Sequence, residues 1–231
     1  LPYFRKTEDF KGGADDLHGA GGEWRVEEPR LSWEILDAFR EAAVQAGIPA
    51  VEDFNRGNNE GVGYFHVNQR RGVRWNASKA FLKPIAGRQN LVVATNAQVE
   101  KLEIKEAKTT AVLFDQNGVS KQANVAGEVV LAAGSIGTPH ILQLSGIGPG
   151  EWLQKIGVSL VSDVDGLGRN LQDHLQVRLA YKVSGVKTLN EQANSILGKV
   201  GMGLDYALFR RGPLTMDPSQ IGCFAKSDSS R

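Results

Sequence analysis

From Val129 to Gly150 the chain runs without one Asp, Glu, Lys or Arg. The stretch is long enough to cross a bilayer. It also contains Gly134, Gly137, Gly146, Gly148 and Gly150 with Pro139 and Pro149, and lipid would leave much of that backbone without hydrogen-bond partners. It must therefore fold inside protein. EVVLAA, residues 128–133, is apolar almost throughout and reads as a strand buried on both faces. Gly134-Ser135 then turns the chain, and Thr138-Pro139 is expected to open a helix, with threonine as cap and proline in the first turn. Ser145-Gly146-Ile147-Gly148 makes a second tight turn, and neither Gly134 nor Gly146 is expected to tolerate a side chain. A strand, a tight turn and a helix present a helix N-terminus to a ligand.

The text on either side is of another kind. Residues 33–46 predict a helix with Ile35, Leu36, Phe39, Ala42, Ala43 and Ala46 on one face, Ser32 as cap, and Gly47 then Pro49 at its end. Residues 52–76 are polar and glycine-rich, a long loop with one short strand, and a short helix near Ser78–Leu82 is expected to stop at Pro84. Between 91 and 133, LVVAT, VEKLEI, TAVLFD, KQANV and EVVLAA predict short strands, with Asn117-Gly118 as a hairpin turn. Val177, Leu179, Tyr181 and Val183 alternate with Arg178, Ala180 and Lys182, the pattern of a half-exposed antiparallel strand. Residues 190–209 predict one helix with Ile196, Leu197, Val200, Leu204 and Leu208 on one side, ended by Gly212-Pro213. The fold class is α/β plus α+β, portions of two domains interleaved in sequence.

Charge and cysteine usage narrow the function. The 27 Lys+Arg and 26 Asp+Glu nearly cancel to +1, so the concentrated field of a nucleic-acid binder is missing. Trp24, Trp33, Trp75 and Trp152 are too scattered for a base-stacking platform. One cysteine, Cys223, leaves no internal disulfide and no thiolate cluster. His18, His66, His140 and His174 show no metal-ligand spacing, so no metal is expected. No serine sits in GxSxG, and Cys223 has no basic neighbourhood, which argues against a hydrolase. LPYFRKTEDF, at residues 1–10, has no signal or lipidation pattern and reads as the interior of a longer protein; the expected compartment is cytoplasmic, with membrane association left open.

As an ordered string, GSIGTPHILQLSGIG (Gly134 to Gly148) resembles the second characteristic motif of the glucose–methanol–choline (GMC) family of flavoprotein oxidoreductases. LPYFRKTEDF, LHGAGGEWRVEEP, EDFNRGNNEGVGYF, RRGVRWNASKAFLKP, RQNLVVATNAQVEKL and DGLGRNLQDHL resemble other family segments in the same order. The resemblance implies part of a Rossmann-like FAD-binding domain interleaved with part of an antiparallel-sheet substrate domain. It divides the chain into a substrate-facing segment (1–86), a portion of the FAD domain (87–170) and a portion of the substrate domain (171–231).

The resemblance also implies FAD as cofactor and oxidation of a primary alcohol to an aldehyde by hydride transfer to flavin, with the electron acceptor open. Choline dehydrogenase is the alternative within the family, and a non-catalytic scaffold of the same fold is the alternative outside it. Val99 matches the valine whose backbone meets the adenine, and Ala133, Gly134 and Ser135 match the strand-end turn beside the adenine and ribose. On the substrate side it points to His174 and Gln176. The family's catalytic base has no match in this chain. GxGxxG is missing too: Gly166-Leu167-Gly168 meets Leu171 at the third glycine, and Gly19-Ala20-Gly21 meets Trp24. The chain by itself is therefore expected to be inactive.

Overall fold

Asn117 and Gly118, the pair expected to turn a hairpin, both take left-handed backbone, φ 57° and 80°, in the computed structural model, which describes residues 1–228. In chain order these residues form helix α1 (Pro2–Thr7), strands β1 (Glu8–Phe10) and β2 (Trp24–Val26), and helix α2 (Glu34–Gln45). Strands β3 (Gly61–Tyr64), β4 (Gln69–Arg70) and β5 (Val73–Arg74) follow, then a π-helical turn at Ser78–Leu82 and a 3-10 turn at Lys83–Ile85. Next come strands β6 (Ala97–Lys105), β7 (Lys108–Gln116) and β8 (Val119–Asn124), helix α3 (Gly134–Leu144), strand β9 (Ile147–Gly148), helix α4 (Gly150–Lys155) and strand β10 (Ser162–Asp163). Helices α5 (Leu189–Asn194) and α6 (Ile196–Phe209), a 3-10 turn at Pro213–Thr215 and strand β11 (Ile221–Phe224) complete the order. Among the described residues, no helix is long and apolar enough to cross a membrane. The chain forms two units, one from Leu1–Leu91 with the segment from Tyr181 onward, the other Val92–Ala180.

The second unit is built on an antiparallel sheet in the order β6-β7-β8. Leu102 and Ala111 are its buried residues, while Ile141 and Leu153 are buried on α3 and α4. Helix α3 is fastened to β6 by one hydroxyl. Ser145 Oγ accepts from the Leu102 N–H at 2.8 Å and donates to the Ile141 carbonyl at 2.6 Å, both within the core. The glycine turn after α3 is then gripped from the far side. The Gly146 carbonyl accepts from the N–H groups of Val161 and Ser162, and the Gly150 N–H donates to Asp163 Oδ1 at 2.9 Å. Strands β9 and β10 pair in parallel there. Gly146 has φ +85° and Gly134 has φ +80°, the conformation that disfavours a side chain at both.

Three expectations for this unit need correction. Residues 128–133 form no strand, and Val130 is 81% exposed; an apolar run becomes a strand only beside a partner that completes its ladder, and none of the described strands pairs with it. The run at 177–183 fails for the same reason and crosses from this unit into the other, with Val177, Leu179 and Tyr181 exposed. Helix α3 starts at Gly134, so Thr138 and Pro139 lie inside it. Thr138 still serves the helix start, from within: its Oγ1 accepts from the Ala133 N–H at 3.1 Å.

In the first unit β3 pairs antiparallel with β11, which brings residues 221–224 against 61–64. Val62 is fully buried, and the rings of Phe54, Phe65 and Phe224 pack on one another at 5.1–6.3 Å. Strands β1 and β2 pair in parallel, and β4 and β5 form a hairpin through Arg71-Gly72 at φ 52° and 75°. The stretch 52–76 thus holds three short strands where one is expected. Helix α2 has Trp33, not Ser32, at its N-cap, and Gly47 ends it at φ +92°. Pro84 lies within a 3-10 turn that extends the preceding helical turn, because proline is tolerated where the N–H has no partner to lose. Residues 190–209 are two helices, not one. Thr188 and Glu191 form a reciprocal capping box on α5, and Ser195 breaks the run to cap α6. Helix α6 ends at Arg210, in left-handed backbone.

Candidate functional site

The four residues expected on the cofactor side all lie in the second unit. Ala133 is the N-cap of α3, and Gly134 and Ser135 open the helix; all three are exposed. No side chain caps this end and its first turn holds no acid, so the first N–H groups and the positive end of the dipole face outward. A Cβ built on Gly134 would meet nothing within 4 Å. Val99 is half-buried on β6 opposite Phe114, and the register slips between Val99 and Lys101. Such a bulge frees backbone groups from the ladder. The residues therefore fit a neutral or anionic group that approaches bare backbone, as the adenosine part of a dinucleotide does.

The substrate-side residues His174 and Gln176 lie in an exposed stretch without regular structure. Asp173 holds the His174 backbone N–H at 2.8 Å and leaves its ring untouched.

The most developed polar arrangement belongs to the first unit and was not singled out from the sequence. His18 is 3% exposed and stacks on Phe10 at 4.2 Å. Its Nδ1 lies 3.0 Å from Glu8 Oε2, and its Nε2 lies 2.8 Å from Asp53 Oδ2. Each ring nitrogen thus meets one carboxylate within hydrogen-bond distance. Asp53 is the hub, accepting also from the Asn55 N–H at 2.9 Å and from Arg56 Nε at 3.1 Å, with His66 Nδ1 at 3.8 Å. Burial pushes the Asp53 carboxyl up, but the Asn55 N–H and the nearby His18 outweigh it and hold the group below its ordinary range. Asp15 is held at about 2 by the N–H groups of His18 and Leu17 and then by Arg56. Asp9 is also lowered: burial opposes, while the Gly21 N–H and Arg25 prevail. Glu8, His18 and His66 line a cavity of about 620 Å³ together with Phe4, Trp24 and Asn68. Among the described residues, no group of three or more His, Cys, Asp or Glu side chains is placed to hold a metal ion.

A carboxyl lowered in the folded state stabilises the fold fully above its unfolded value, about 3.9 for Asp. That contribution disappears as pH falls through the folded value. The first unit is thus expected to hold a constant denaturant midpoint, as far as these carboxyls act, down to about pH 4 and to lose it between about pH 4 and 2. Asp53→Asn should flatten that limb. A wild-type midpoint unchanged across the same interval would count against the assignment.

The comparisons with known proteins agree with the motif at Gly134–Gly148. The family profile described as GMC oxidoreductase matches residues 1–176, and the chain belongs to that family. It is 36% identical over its whole length to the fatty acid photodecarboxylase of Chlamydomonas reinhardtii, of which it covers 40%. It is also 36% identical, over 89% of its length, to the mitochondrial choline dehydrogenase of Homo sapiens, of which it covers 34%. Among solved structures, an FAD-dependent oxidoreductase from Chaetomium thermophilum shares the fold at a TM-score of 0.84 and 24% identity, over 96% of this chain and 41% of that one. The chain thus spans about two fifths or less of the length of these relatives.

Proposed function

We propose that this chain is part of an FAD-dependent oxidoreductase that converts a primary alcohol to an aldehyde. The observation that carries the proposal is family membership across residues 1–176 together with the open, uncapped N-terminus of α3 inside the family motif. The backbone of Val99 and the turn at Ala133, Gly134 and Ser135 would hold the adenosine portion of FAD. The flavin, when bound, supplies a two-electron acceptor that no side chain can replace. This chain's own part is orientation: backbone N–H groups at α3 fix the cofactor's far end without bringing a competing charge. The base that takes the hydroxyl proton is not among this chain's candidates, and the chain alone is proposed to be inactive. We assign residues 87–170 to the cofactor side and residues 1–86 and 171–231 to the substrate side.

For the substrate, equal identity to a photodecarboxylase and to a choline dehydrogenase leaves the choice to local chemistry. Gln176 is neutral, and a quaternary ammonium is recognised by charge and aromatic faces. We therefore place a neutral primary alcohol ahead of choline. The test uses the whole enzyme with FAD. A neutral primary alcohol should bleach the flavin's visible band in the absence of oxygen. Gln176→Glu should shift the kcat/KM ratio toward choline by about tenfold, since the added carboxylate attracts the ammonium. No bleaching would reject the alcohol reading. A native preference for choline, or a ratio unmoved by the substitution, would reject the role of Gln176.

A further inference from the structure

The hairpin turn between β7 and β8 carries a chemical liability. Asn117-Gly118 is the one Asn-Gly pair in the sequence. Asparagine is thermolabile, and a glycine after it has no Cβ to keep its nitrogen away from the asparagine side chain. In the reaction, the Gly118 nitrogen gives up its hydrogen and bonds to Asn117 Cγ. The bond from Cγ to the carboxamide nitrogen breaks, that nitrogen leaves with the hydrogen as ammonia, and a cyclic succinimide remains. Water then opens the ring at either carbonyl, to aspartate or to isoaspartate, whose main chain runs through Cβ. Water enters and ammonia leaves, with no oxidant or reductant.

Asn117 and Gly118 are both exposed, and among the described residues none holds the Asn117 carboxamide. The carbon to be attacked is therefore free. The attacking nitrogen is not. The Gly118 N–H donates to Asp115 Oδ1 at 2.9 Å. The strand end that presents Asp115 is itself fastened: Gln116 Nε2 donates to the Thr95 carbonyl at 2.9 Å, and Gln116 Oε1 accepts from Lys121 Nζ at 2.8 Å. Across the ladder Gln116 faces Val119 and Asp115 faces Ser120. All of these contacts lie within the unit Val92–Ala180 and need nothing outside it. The Asp115 carboxylate opposes the reaction in two ways. The N–H must leave a charge-assisted bond before the nitrogen can attack. The amide anion then formed would also lie beside a like charge, which disfavours it, and Lys121 directs its ammonium to Gln116.

We propose that Asn117 is a site of spontaneous deamidation and that Asp115 guards it, holding the Gly118 nitrogen out of reaction while the hairpin is folded. Either product harms the turn. Aspartate sets a second carboxylate close to Asp115, and isoaspartate lengthens the main chain of a turn that fixes the register of β8 on β7. The test incubates the whole-length enzyme with FAD bound at neutral pH and follows the peptide that contains residue 117 by mass and by isoaspartate content. The folded native enzyme should convert more slowly than the same enzyme unfolded in urea. Asp115→Ala should speed conversion of the folded enzyme about tenfold, the factor expected when the nitrogen loses a bond to a charged acceptor. Asp115→Asn keeps an acceptor oxygen and should restore part of the protection. In urea all three proteins should convert at one rate, because the guard exists only in the turn. Three results would overturn the proposal. One is a folded Asp115→Ala enzyme that converts no faster than the native one. Another is an Asp115→Asn enzyme as fast as Asp115→Ala. The third is a difference among the three proteins that persists in urea.

Discussion

Replacing His18 with alanine is expected to destabilise the first unit by about 3 kcal/mol or more, the cost of removing two buried hydrogen bonds and a stacked ring. The imidazole answers Glu8 on one side and Asp53 on the other while its face stacks on Phe10. Alanine removes all three interactions. It also leaves two carboxylates, with side chains only 20% and 10% exposed, without the donor that lay between them. Glu8 keeps the Gly19 N–H, and Asp53 keeps Asn55 and Arg56, so the charges are not wholly abandoned. The neighbouring His66 is the control. It reaches Asp53 only at 3.8 Å, beyond hydrogen-bond distance, and meets the Phe10 ring edge-on at 5.0 Å, so His66→Ala loses packing but no hydrogen bond to Asp53 and should cost about 1–2 kcal/mol. Denaturant unfolding of both variants measures the difference. Equal costs, or a His18→Ala cost under about 1 kcal/mol, would show that the set contributes little.

What the sequence reveals of this molecule divides along physical lines. Features fixed by a few consecutive residues were legible. Asn117-Gly118 turns its hairpin because both positions need left-handed backbone, α2 forms where a helix is expected although of its apolar face only Ala43 is buried, and Gly134 and Gly146 take positive φ. Features that depend on a partner were not. Residues 128–133 and 177–183 have strand composition without a described neighbour to pair with. The aliphatic side of α6 has a core-like spacing and faces solvent, since periodicity identifies a face and not what covers it. His18 meets Asp53 across 35 positions in sequence, so no local spacing announces the pair. The capping box from Thr188 to Glu191 was a readable signal, and it would have divided the long helix at Ser195.

Gly146→Ala is expected to be the more damaging of two like-looking substitutions. At Gly134, φ is +80° and a Cβ would meet open space, so alanine there costs only the left-handed strain, about 1 kcal/mol. At Gly146, φ is +85° and the Cβ would lie 2.4 Å from the Ser159 carbonyl oxygen and 2.8 Å from Val161 Cγ2. The oxygen is main chain and cannot rotate aside. Relief therefore requires residues 159–161 to move away from the turn. That movement strains the bonds from the Val161 and Ser162 N–H groups to the Gly146 carbonyl, now 2.8 and 3.1 Å, each worth about 1 kcal/mol. Strain plus two weakened bonds gives about 3 kcal/mol for Gly146→Ala against about 1 for Gly134→Ala. Amide exchange at Val161 and Ser162 reads the effect at its source. It should quicken strongly in Gly146→Ala and hold its native rate in Gly134→Ala. Unchanged protection of those two amides in Gly146→Ala would mean that the turn has room for a side chain and that the close approach does not govern this position.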